Sequence, residues 1–99
     1  MLLRAICWGD EPVGVLLADM ECDPPYLVRF MVDAAHQRHG IGRRAVDLLI
    51  DELRRTGATS LEVSFVAAPE GGAEGFWRRC GFADTGRSIE GETVLALVL

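Results

Sequence analysis

A chain of 99 residues, 49 % of them hydrophobic, can bury one small core and is too apolar for a disordered or low-complexity class. Its net charge of −5 argues against a general nucleic-acid binder and is compatible with a cationic partner, although a solvated surface explains the same balance. Cys7, Cys22 and Cys80 are an odd set, no stretch reads as a signal peptide and no apolar run reaches membrane length. A soluble, cytoplasmic protein with reduced thiols is expected.

The elements follow in order. Leu2 to Trp8 and Val13 to Asp19 are apolar, β-favouring runs joined by Gly9-Asp10-Glu11-Pro12, which predicts a hairpin. Glu21 to Pro25 is a link, because its prolines forbid regular structure, and Tyr26 to Val32 is the next strand. From Gly40 to about Thr56, Ile41, Ala45, Leu48, Leu49 and Leu53 keep helical spacing, with Gly57 as the stop. Ser60 to Val66 reads as a strand parallel to 26–32, because it follows a strand and a helix. Pro69 to Gly72 is a loop and Ala73 to Arg79 a short helix. Phe82–Asp84 and Thr93–Leu99 are the last strands, with a turn at Glu90-Gly91. The order ββ-β-α-β-α-β-β predicts an α/β (α+β) domain over residues 1–99, a mixed sheet with helices against it.

Val28 to Ala45 organises the rest. A strand leads to Gly40-Ile41-Gly42 at a helix start, where the first backbone N–H groups have no partner and the helix dipole adds positive character. Arg38, Arg43 and Arg44 crowd the turn, so the pattern points to a phosphate-bearing ligand at residues 37–43. A nucleotide-triphosphate P-loop is excluded, since the chain has no lysine. Gly40-x-Gly42-x-x-Ala45 formally satisfies the dinucleotide fingerprint. However, seven residues separate Val32 from Gly40, whereas that motif sets its first glycine tight against the strand.

Gln37-Arg38-His39-Gly40-Ile41-Gly42 instead resembles the Gln/Arg-x-x-Gly-x-Gly/Ala signature of the GNAT family of N-acetyltransferases. Arg29 to Asp33, Pro69 to Gly72, Gly75 to Phe82, Thr85-Gly86 and Glu90 to Glu92 are similar, in order, to its spermine/spermidine (diamine) acetyltransferase-like branch. The resemblance implies acetyl-CoA as co-substrate, a small-molecule amine or polyamine as acceptor, and a sheet whose two central parallel strands splay apart. It places the pyrophosphate on Gln37, Arg38, His39, Gly40, Ile41, Gly42 and Arg43, and the pantetheine arm on the backbone of Met31 and Val32. As a side-chain reading, Met31 and Val32 are plain core, and both roles are compatible.

Acetyl transfer needs a polarised carbonyl, a deprotonated amine and a proton for the leaving thiolate. Family members commonly carry a tyrosine where this chain has Trp77, and an indole N–H donates a hydrogen bond without being a useful proton source. Cys80, Ser64 or water could supply the proton, and Tyr26 is a remote alternative. Glu62 and Asp33 are candidate bases, although a solvent-facing strand residue is the plainer reading of Glu62. His36 and His39 lack the cysteine or carboxylate cluster that would complete a metal site, so no metal is expected.

The family usually sets a strand and one or two helices before the hairpin that here begins at Leu2. An open acceptor side is therefore expected. The hairpin is apolar on both faces, and a homodimer that covers it follows. The rival readings are a non-catalytic acyl-CoA-binding or regulatory domain, and a half-enzyme completed by a partner chain.

Overall fold

The hairpin forms from β1 (Leu2–Trp8) and β2 (Glu11–Asp19), but its turn is tighter than the sequence suggests. The structure, a computed structural model, describes residues 1–37, 39–66 and 73–99. Only Gly9 and Asp10 lie between the strands, and Pro12 sits within β2 opposite Cys7, beside a bulge at Ile6/Cys7. The bulge interrupts the ladder where proline has no N–H to give, so the strand tolerates it.

Among the described residues six strands form one sheet in the order β1-β2-β3-β4-β6-β5. β3 (Tyr26–Val32) runs antiparallel to β2 and parallel to β4 (Ser60–Phe65), as predicted. The parallel pairing spans only Tyr26–Glu62 and Leu27–Val63, so the two strands part beyond Leu27. A bulge in the β2–β3 ladder at this level, opposite Leu17/Ala18, bends β3 as it parts.

α1 (Ile41–Arg55) starts from Gly40 and stops where expected: the N–H of Gly57 donates to Arg54 O at 3.1 Å and that of Ala58 to Leu53 O at 3.2 Å. Its buried stripe is Ala45, Val46, Leu49 and Leu53. Leu48, assigned to that stripe from its spacing, is 53 % exposed, whereas Val46 is fully buried. At about 100° per residue Leu48 lies roughly a third of a turn from the stripe's centre. α2 is Glu74–Arg79. β5 (Ala83–Ile89) extends well past Asp84, where the sequence reading ended it, and meets β6 (Glu92–Val98) through Glu90-Gly91, both at positive φ as a tight two-residue hairpin requires.

Residues opposite one another in register share a face. One face carries Ile6, Leu16, Leu27, Leu61, Val63 and Leu95, which build the core with Val46, Leu49 and Leu53 of α1 and Trp77 of α2. Both helices therefore lie on one face. The other holds Leu3, Leu17, Tyr26, Glu62 and Ser64, with Leu3 well exposed.

Candidate active site

The parted strands leave the edge of β3 from Val28 to Val32 without a β4 partner, and the start of α1 lies beside it. A 3-10 turn, Ala34–His36, joins the two; Asp33 caps it by accepting from the Ala35 N–H at 3.2 Å. The Gln37 side chain then donates from Nε2 to Val32 O at 2.9 Å, fastening the link to the end of the strand. Gly40 follows at φ +78°, a left-handed conformation that strains a residue with a Cβ. Among the described residues no side chain caps α1, so its first N–H groups remain available. A Cβ on Gly40 would meet nothing within 4 Å.

Gly42 has a different role. A Cβ there would lie 3.2 and 3.3 Å from ring atoms of Phe76 and 3.6 Å from Phe30. Its absence lets α1 settle against two rings that stack with centroids 5.6 Å apart. Trp77 packs edge-on to Phe30 at 5.3 Å, Phe76 at 4.9 Å and Phe82 at 5.4 Å, and is 5 % exposed. These contacts hold α2 against β3 and the start of α1.

A cleft of about 750 Å³ opens between the three elements. Met31, Val32, Gln37, Gly40, Gly42, Arg43 and Trp77, all singled out from the sequence, line it together. Arg43 donates from Nη1 to Arg79 O at 2.9 Å and from Nε to Asp47 at 3.4 Å, tying α1 to the end of α2. Arg79 also lines the cleft, with Phe30, Ala73 and Phe76, and none of these four was a sequence candidate. A helical signal was present: Ala73, Phe76 and Arg79 recur every three residues and so share a side of α2. Two guanidinium groups and an uncapped helix start make this an anion-favouring wall beside an aromatic one.

Other candidates lie elsewhere. The His39 ring packs on Trp8 at 5.2 Å, and with Ile41 it lines a second groove along β1; Gly40 borders both spaces. Arg38 and Pro69–Gly72 lie outside the described residues. Glu62 is on the sheet face away from the helices, ion-paired with Arg87. On that face too, the Tyr26 hydroxyl bonds Ser64, which donates to Glu92 at 3.1 Å. Cys80 is buried behind the end of α2 and is not part of the cleft wall; burial pushes its thiol up and keeps it protonated. Asp33 is engaged as a cap and lies 3.6 Å from His36, which also sits 3.9 Å from Glu11. Among the described residues no group of three or more His, Cys, Asp or Glu could hold a metal ion, and no helix is long and apolar enough to cross a membrane.

The fold has many counterparts. The PaiA N-acetyltransferase of Thermoplasma acidophilum, solved with coenzyme A, superposes with a TM-score of 0.86 at 10 % identity, over 99 % of this chain and 60 % of that one. The ribosomal-protein-S18-alanine N-acetyltransferase of Escherichia coli gives 0.82 at 23 % identity, covering 98 % and 68 %. An aminoglycoside 6′-N-acetyltransferase complexed with coenzyme A gives 0.85 at 15 % identity, covering 97 % and 71 %. The chain thus spans about 60 % of the length of the PaiA protein. No curated protein matches it by sequence. The sequence pattern of the acetyltransferase (GNAT) family does match, over residues 1–82, a stretch that includes every cleft residue named above, and the chain belongs to that family.

Proposed function

We propose that this chain is an acetyl-CoA-dependent N-acetyltransferase domain, residues 1–99, that transfers acetyl directly to a small primary amine or polyamine. The observation that carries the reading is the cleft itself: an uncapped helix start, two arginines and an unpaired strand edge converge on one space. That combination suits a diphosphate joined to an extended, amide-bearing arm. The PaiA and aminoglycoside enzymes, solved with coenzyme A, support the same cofactor.

The N–H groups of Ile41, Gly42 and Arg43 would hold the pyrophosphate, with Gln37, His39 and Gly40 shaping the turn and Arg38 and Arg43 adding charge. The backbone of Met31 and Val32 would pair with the pantetheine arm, and an N–H at this edge would polarise the thioester carbonyl. Acetyl-CoA, when bound, supplies the activated acetyl group. Trp77 walls the reacting end, and its indole offers a hydrogen bond without a transferable proton. Glu62 faces away from the cleft and pairs with Arg87, so the amine's proton would pass to water rather than to it. Water is the candidate acid, since Cys80 is buried outside the cleft wall. The acceptor class rests on the diamine-like motifs at Arg29–Asp33 and Gly75–Phe82. A cytoplasmic homodimer in which the N-terminal hairpin takes part completes the reading.

A second reading, a non-catalytic acyl-CoA-binding domain, is favoured by one feature. The position that would supply a phenol is a tryptophan embedded among Phe30, Phe76 and Phe82. Release of free CoA from acetyl-CoA with a panel of primary amines, beside a calorimetric titration of CoA, separates the two. Binding without amine-dependent release supports the second reading, and absence of binding overturns both.

A further inference from the structure

One glycine outside the cleft wall is required by space rather than by conformation. Gly14 lies in β2, opposite Ile6 of β1 and Val32 of β3, and is not among the glycines at positive φ. A Cβ there would stand 2.2 Å from Met31 O, and 3.1 Å from both the Met31 carbonyl carbon and Val32 Cα. Backbone atoms cannot swing aside as a side chain can, so only glycine lets β3 lie this close. A bulge adjoins the contact: Ile6 pairs with Gly14 and Cys7 with Pro12, which leaves Val13 without a β1 partner.

The contact fixes the stretch of β3 that borders the cleft. Backbone groups of successive strand residues point to alternate sides. The Met31 carbonyl lies against Gly14, and the Asp33 N–H donates to Val13 O at 2.6 Å, so both turn toward β2. Val32, between them, turns its carbonyl the other way, where Gln37 Nε2 donates to it at 2.9 Å. Its N–H shares that side and is open to an incoming chain. Beyond Leu27 no β4 residue holds β3, whereas β2 lies between β1 and β3 and pairs with both. A methyl at position 14 therefore displaces Met31 and Val32 rather than β2, by about an ångström to reach ordinary contact. The displacement runs into the gap between β3 and β4.

We propose that Gly14 is a positioning residue for the CoA cleft: its missing side chain seats Met31 and Val32 against β2 and so keeps the gap between β3 and β4 wide enough for the pantetheine arm. Gly14 touches no ligand itself. This rests on the CoA reading and narrows it, since Met31 is the residue held by β2 and Val32 the one turned to the arm.

Calorimetric titration with two probes tests the role: CoA, and 3′-phospho-ADP, which keeps the diphosphate and lacks the arm. In Gly14→Ala, CoA affinity should fall by roughly tenfold or more, the scale on which misplacement by an ångström is felt. Affinity for 3′-phospho-ADP should stay within about threefold, because the start of α1 is seated by Phe30 and Phe76 beneath Gly42. Asp33→Pro pries the same end of β3 off β2 by a second route. Its φ of −50° suits proline, and a ring carbon would replace the N–H that now meets Val13 O. The same split between the probes is expected, with circular dichroism to check the fold of both variants. Equal weakening of the two probes, or unchanged CoA affinity, in a folded variant overturns the proposal. Loss of fold in both variants makes Gly14 a residue of the fold alone and overturns it too. A natural chain that binds neither probe refutes the CoA reading itself, whereas CoA binding without the split leaves that reading standing.

Discussion

The substitution Gly40→Glu separates folding from binding. A Cβ at Gly40 meets nothing within 4 Å, so the free chain gains no clash. Its cost is the left-handed backbone at φ +78°, about 1–2 kcal/mol for a residue with a side chain. For a domain of this size that lowers Tm by about 4–16 °C, well short of unfolding at room temperature. The effect on CoA is much larger. Unit charges about 4 Å apart interact by ~1 kcal/mol in water and ~4 kcal/mol near a protein surface, and a diphosphate carries more than one. The new carboxylate can also accept from the free N–H groups of α1 and so occupy the anion position itself. A loss of at least ~3 kcal/mol, over a hundredfold in Kd, is expected by calorimetric titration. Gly86→Glu is the matched control: Gly86 sits at φ +77° in β5, has no neighbour within 4 Å, and is absent from the cleft wall. Equal loss of CoA affinity in both variants, or none in Gly40→Glu, refutes the assignment of the anion site.

Arg43→Ala should weaken CoA binding by about 1–3 kcal/mol, the range for a hydrogen bond to a charged group, with Tm only slightly lower because Arg43 is half exposed; titration and thermal melting read the two effects. Arg79→Ala should weaken binding without changing the fold, since its guanidinium lies over Gly75 on the cleft side; unchanged affinity would remove it from the site. Trp77→Tyr should raise amine-dependent CoA release at neutral pH, towards the ~10²–10⁴-fold that general acid catalysis contributes, with some loss of stability from the smaller ring. No gain while CoA still binds would show that proton delivery is not what the chain lacks. Thiol titration with a disulfide reagent should rank Cys7 first, then Cys22, whose thiol is pushed up by its hydrogen bond to Asp19, and Cys80 last, because a raised pKa leaves less thiolate at a given pH and burial blocks access; equal rates in the folded chain would contradict this order.

What the sequence revealed and what it hid divide along a physical line. α1 was legible because its apolar period, its glycine start and its Gly57 stop are all local signals. Its facing was less so: Leu48 and Val46 both suit helical spacing, and only the sheet beneath decides which is covered. β5 beyond Asp84 was missed because Thr85-Gly86-Arg87-Ser88 shows no alternation; the strand is exposed along nearly its whole length and is defined by pairing with β6. Among site residues, Gln37, Gly40, Gly42 and Arg43 form a contiguous motif and could be found. Phe30, Phe76 and Arg79 enter from separate elements that only tertiary packing unites. The direction of the His39 side chain was equally hidden, since it depends on Trp8, which is remote in sequence.

The turn before α1 is held from both sides by aromatic rings. On the cleft side Phe30 and Phe76 stack beneath Gly42, and on the other His39 rests on Trp8, which also contacts His36 at 5.7 Å. A loop of this length left free would have to be ordered when a ligand arrives, at a cost set against affinity. Here packing has already met that cost, so the N–H groups at the start of α1 are fixed before any anion enters. The same residues open the strand edge. Phe30 turns its side chain toward the helices, where Phe76 and Trp77 cover it, while the backbone beside it has lost β4 as a partner. One aromatic cluster thus holds α2 in place, seats α1 and supports a strand edge left free to pair. A substitution that thins this cluster should therefore impair CoA binding without touching a single polar group of the site.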